Sequence, residues 1–272
     1  MTRLPLLGFA VLLAASLGPS ALAHDMAAMG GSNAPNGMGS HIHMDEHMKM
    51  TPARASTAQD AERADELLDT LRRALKPYHN YRSALARGYR IFLPTIPQDV
   101  YHFTDYGAAT EEYRGHFDPA RPGSLLYVKN PDGEYALVGA MYSAPPQYTP
   151  EQLDALIPLG VAQWHQHVNI CLPAGITLGD LLRGEVGAAN PDMPGMLPIA
   201  ASPDALDRDR RLGFMADGRF GFEGSIHDAG TCASAGGYLI PVAFGWMVHV
   251  YPFNGDDLRI AFGSAVPKPI AQ

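Results

Sequence analysis

The densest polar pattern in the chain is Trp164-His165-Gln166-His167-Val168-Asn169-Ile170-Cys171. On an extended strand alternate side chains share a face. His165, His167, Asn169 and Cys171 are therefore predicted on one side, with Trp164, Gln166, Val168 and Ile170 on the other. Two imidazoles spaced in this way can reach one cation, and neutral imidazole suits zinc, copper, iron and nickel. A third ligand has to come from another strand. His249, in the apolar run GWMVHVYPF, is the candidate, because a buried imidazole loses hydration unless its nitrogens are bonded or coordinated. His102, in VYHFTDY, is the fourth candidate, although a lone histidine on an apolar strand is more often a hydrogen-bonded core residue.

Such a site admits three readings. The chain holds a metal ion, it uses that ion with an open position for hydrolytic or oxidative chemistry, or it is a metal-free periplasmic binding domain. His79, His116 and His227 lack supporting neighbours and read as surface or loop residues. No G-x-S-x-G elbow, H-E-x-x-H pair or P-loop is present, so no catalytic residue is assigned.

The chain has two cysteines. Cys171, four residues after His167, is either a thiolate ligand or half of a disulfide with Cys232. An oxidising compartment favours the disulfide, and the compartment is legible at the start of the chain. Arg3, the apolar run Leu4 to Leu17 and the small residues ending Ala21-Leu22-Ala23 form a signal peptide over 1–23, cleaved after Ala23. The run is shorter than the roughly 20 residues that a membrane span needs, and no later stretch is long enough. The expected location is the periplasm or the cell exterior.

Residues 24–55 are expected to be a disordered tail rich in Met and His. They contain His24, Met26, Met29, Met38, His41, His43, Met44, His47, Met48 and Met50 among Gly, Ser, Ala, Asn and Pro. No branched aliphatic run could form a core there. Thioether sulfur is soft and favours Cu(I), while imidazole also takes Cu(II) or zinc. The tail therefore resembles the Met/His-rich segments of bacterial copper-handling proteins. Copper is the expected cofactor, with zinc as the alternative. The net charge of −8 and the lack of a basic block argue against nucleic acid as a partner.

The elements that must position these residues follow from periodicity. With 46% hydrophobic and 18% charged residues the chain can bury a core. Thr57 with Asp60, then Ala64, Leu67, Leu68, Leu71 and Leu75, predict a capped amphipathic helix over 57–75 that ends at Pro77. Shorter helices are expected over 78–87, over 105–114 and from Thr149-Pro150. Strands are expected at 89–93, 124–129, 134–144, 161–172 and 237–253. The reading is a single α+β domain over 56–266, N-terminal helices followed by an antiparallel β-sheet.

Four segments, GYRIFLPTIPQDVYHFTDY, RPGSLLYVKNPDGEYALVGAMYSAP, WHQHVNICLP and GWMVHVYPF, resemble those of a family of exported bacterial proteins of unknown function. The resemblance covers most of the chain from about 78 to 253 and implies no activity.

Overall fold

The computed structural model describes residues 44–92, 98–175, 219–222, 224–253 and 257–263. The signal peptide expected at 1–23 and the tail as far as residue 43 lie outside them. All described residues belong to one compact unit, Gly37–Gln272.

The leucine repeat forms α2 (Ala58–Leu75), after a short α1 (Met44–His47) and β1 (Met48–Met50). Thr57 caps α2 reciprocally. Its hydroxyl accepts the Asp60 N–H at 3.2 Å and its own N–H donates to Asp60 Oδ2 at 2.8 Å. Capping of this kind contributes about 1 kcal/mol. Arg54 donates to both Asp60 and Asp154, tying the head of α2 to α5 (Pro150–Leu156). The predicted face of α2 is the buried one: Ala64, Leu67, Leu68, Leu71 and Leu75. A 3-10 turn at Lys76–Tyr78 leads to α3 (Tyr81–Ala86), which stops before Gly88 at φ 100°.

Next come β2 (Arg90–Ile91), β3 (Tyr101–Thr104), α4 (Tyr106–Tyr113), β4 (Ser124–Lys129) and β5 (Tyr135–Ala144). After α5 follow β6 (His165–Pro173), α6 (Ala229–Ser234), β7 (Gly237–Val250) and α7 (Leu258–Ala261). The strands form one sheet in the order β1-β6-β7-β5-β4-β3-β2, every described pairing antiparallel.

The fold is α+β, as expected, but its helices do not precede the sheet. β1 comes before α2, and α4 to α7 lie between or after strands. The reason is topological. β5 and β6 are not neighbours, because β7 pairs between them. A tight hairpin reaches only the adjacent position, so the chain uses α5 to leave a place that β7 fills later.

One face of the sheet carries Tyr101, Phe103, Leu125, Tyr127, Tyr142, Trp246, Val248 and Val250. These pack with the leucines of α2 into the main core. Each fully buried large side chain contributes about 1.5–3 kcal/mol, which makes this face the source of most stability. The histidines are on the other face.

The tail expectation needs correction at its C-terminal end. Met48–Met50 is an edge strand paired to β6, and His47 is 0% exposed. The Thr51 N–H donates to the Trp164 carbonyl at 2.8 Å, and the Trp164 N–H returns to Thr51 Oγ1 at 3.0 Å. Order here comes from backbone pairing and one buried ring. Neither leaves a mark in local composition, so the folded body includes residues from Met44 onward and does not start only at 56.

Candidate metal centre

Directly opposed residues of antiparallel strands point to the same face. His102 on β3 opposes Leu126 on β4. One strand further, Met141 of β5 opposes His249 of β7, and Met247 opposes His165 of β6. His102, His165 and His249 thus share the face away from the helices. His167 opposes Ala243, four residues from Met247 on β7, and so keeps that face too.

In a flat sheet β3 and β7 stand three strand spacings apart, about 14 Å. Yet His102 Nε2 lies 3.2 Å from His249 Nε2. Each imidazole reaches about 6 Å from its Cα, so side chains that lean toward each other span that gap in a sheet of ordinary twist. The sheet has irregularities between Leu126 and Tyr127 in β4 and between His165 and His167 opposite β7. Bulges bend and twist a strand pair.

The rings form a chain. Centroids are 5.2 Å apart for His102 and His249, 5.3 Å for His165 and His249, and 5.7 Å for His165 and His167. Imidazoles bound at about 2.0–2.1 Å to one tetrahedral ion place their centroids about 5 Å apart. His102 is hydrogen-bonded to the Val100 backbone, and the Tyr251 hydroxyl lies 3.3 Å from His249 Nδ1. Outer partners of this kind hold a ring and its tautomer, leaving the other nitrogen for a ligand. His167 Nδ1 is buried with no hydrogen-bond partner among the described residues. Such an atom costs about 1–3 kcal/mol if nothing binds it.

Burial is the largest cause of the downward pKa shift at all four rings, and neighbouring histidines add to it at His165, His167 and His249. His165 is lowered to about 3, His102 and His167 to about 4, and His249 lies well below the ordinary imidazole value. At neutral pH all four are neutral, the form that coordinates metal.

Among the described residues no group of three or more His, Cys, Asp or Glu is already arranged to hold a metal ion. Each consecutive pair of rings is spaced as for an ion held between them, and His102 Nε2 and His249 Nε2 lie at a matching distance; among the described residues His102 makes no ring contact with His165 or His167. The His165 and His167 planes stand at 89° to each other, so a full set needs a turn of these side chains.

Cys171 is not a ligand. It is joined to Cys232 of α6 in a disulfide and sits in a small satellite core with Phe220 and Ile226. Asn169 leaves the expected alternation, with φ 56° and its amide donating to the Glu46 carbonyl at 3.1 Å. His47, read as a tail ligand, is structural: its Nε2 meets the Gly224 carbonyl at 2.6 Å. Met48 and Met50 lie in β1, and Met44 begins α1. His24, Met26, Met29, Met38, His41 and His43 lie outside the described residues.

Sequence reasoning missed the aromatic rim. Phe222 packs edge-on against His167 and stacks on Phe244, which meets Phe92. Phe244 has φ 68°, a conformation that costs a bulky residue about 1–3 kcal/mol. Phenylalanine carries no signal that separates a rim from a core. The adjacent glycine in Phe244-Gly245 is the visible hint of a bulge.

No described helix is long and apolar enough to cross a membrane. No family model, curated protein or solved structure matches the chain.

Proposed function

We propose that the chain is an exported metal-binding protein, with copper the preferred ion and zinc the alternative. The ion is held in the folded body by His102, His165, His167 and His249. The Met/His-rich residues of the tail other than His47 capture metal for it. One observation carries this reading: four neutral imidazoles from three strands lie in series on one face of the sheet, two of them with Nε2 atoms 3.2 Å apart. Hydrogen bonding between His102 and His249 accounts for that pair alone. It leaves the approach of His165 and the unpartnered His167 Nδ1 without a role.

The test is copper titration of the full chain, wild type against the double variant His165→Ala, His167→Ala. The variant is expected to bind one equivalent fewer and to lose nitrogen hyperfine structure from its Cu(II) spectrum. Unchanged stoichiometry and spectrum would remove the body site. A hydrolytic or oxidative metalloenzyme is the second reading. All four histidines keep part of their surface exposed, which favours an ion that retains a bound water. An ion with no exchangeable water would count against it.

A further inference from the structure

β1 adds two sulfur donors to the histidine face. Its register pairs Met48 with His167 and Met50 with His165. Directly opposed residues have Cβ atoms about 4.5–5.5 Å apart on one face, so each thioether begins beside an imidazole of the candidate centre. The residue between them confirms the orientation. Lys49 Nζ lies 5.3 Å from the centroid of the Trp246 ring, part of the main core on the opposite face.

Packing does not explain these methionines. Met50 is 40% exposed and Met48 is only half-buried. An edge strand gains more from β-branched residues and is protected by charge. What methionine offers instead is a neutral, polarisable donor that selects Cu(I) over harder divalent ions.

We infer that Met48 and Met50 form, with His165 and His167, a mixed thioether–imidazole port that admits Cu(I) to the centre at the β1–β6 edge. The inference rests on the histidine centre proposed above and adds the oxidation state of its ion and the edge by which it enters. Cu(I) is held there by neutral donors only, without redox or covalent chemistry. Four donors of this kind suit an ion of low charge, because neutral ligands leave its charge uncompensated.

The experiment uses the full chain with 13C-labelled methionine methyl groups, the Met48 and Met50 signals being assigned from the single variants Met48→Leu and Met50→Leu. Leucine conserves volume and removes only the sulfur. The chain is titrated anaerobically with Cu(I) and separately with Zn(II), and the methyl signals are followed beside the His165 and His167 ring signals. The expected result is that both methyl signals move with Cu(I), in step with the rings, and stay still with Zn(II). The double leucine variant should lose at least tenfold in Cu(I) affinity at the rings while its Zn(II) affinity stays within twofold. Ring signals that respond to Cu(I) while both methyl signals stay still overturn the port and leave the histidine centre standing. Methyl signals that move while the rings stay still also overturn it, since the donors are then not shared. Rings silent to both metals end the centre and the port together.

Discussion

Glu112 provides a test of the scaffold that is independent of the metal. It sits on α4 and is 2% exposed. Its Oε1 accepts the Gly123 N–H and its Oε2 the Ser143 N–H, both at 2.8 Å. It therefore fastens α4 to β4 and β5, and Ser143 opposes Met247 between the positions of His249 and His165. Burial raises its pKa to about 8 against the pull of the two amide bonds. A raised carboxyl pKa means that the folded state holds the proton more tightly than the unfolded state. The associated stability is fully present below about pH 4.5 and is lost as pH rises through 8. Between pH 7 and 9 the loss is about 1.4 kcal/mol. The four lowered histidines act in the opposite sense, because the unfolded chain still holds part of a proton at each near pH 7, and they return about 0.6 kcal/mol. Glu112 still dominates, and the net loss is about 0.8 kcal/mol.

The assay is urea unfolding of the full chain at pH 7 and pH 9 with a chelator present. The wild type is expected to lose about 0.25 M in midpoint, for a slope near 3 kcal/mol per M. Glu112→Gln keeps the shape but cannot titrate. It gives up one backbone acceptor and starts about 1–3 kcal/mol less stable, yet its midpoint should not fall between the two pH values and should rise by about 0.2 M. If the variant loses as much as the wild type, the carboxyl is not the group responsible and the argument from its burial fails.

The remaining predictions concern the parts that hold the histidine face in shape. The Cys171–Cys232 disulfide closes a separation of 61 residues, so the double variant Cys171→Ala, Cys232→Ala should lose about 4 kcal/mol in the chain-entropy model; a loss below about 1 kcal/mol would refute it. A Cβ at Gly245 would collide with the Ala144 carbonyl on β5. Since backbone cannot swing aside, Gly245→Ala should cost about 1–3 kcal/mol and weaken metal binding at His165 and His249, and a thermal melt and copper titration equal to wild type would count against the bulge as a positioning device.

Much of the scaffold was legible because its signals are local. The α2 leucines and the Thr57 box, the Asp105 cap of α4, the Thr149-Pro150 start of α5 and the runs of β4 and β5 lie within two residues of where they were expected. β3 was not anticipated as a strand, since Tyr101–Thr104 is too short for a period to emerge. His102 was visible as a residue type, but its meeting with His249 was not. That contact depends on sheet order, which no window along the chain contains. The same holds for β1: nothing in Met48-Lys49-Met50 announces that β6 is its partner.

The two faces of the sheet obey different rules, and the contrast bears on function. On the helix side propensity and capping agree with burial, although Trp164 Nε1 and Trp246 Nε1 are buried there without a hydrogen-bond partner among the described residues. On the histidine side the departures gather. Phe244 and Asn169 have positive φ, His167 Nδ1 is unpartnered, four imidazoles are packed where their charged form is disfavoured, and Met50 is exposed on an edge. The Phe244 backbone and the unpartnered nitrogen each cost about 1 kcal/mol or more, and neither improves the core. A fold keeps such costs together only where the surrounding structure holds them for another purpose. An ion shared among the rings would offset several at once. It would satisfy the free nitrogens, use the neutral state that burial imposes, and tie β3, β6 and β7 together through their histidines.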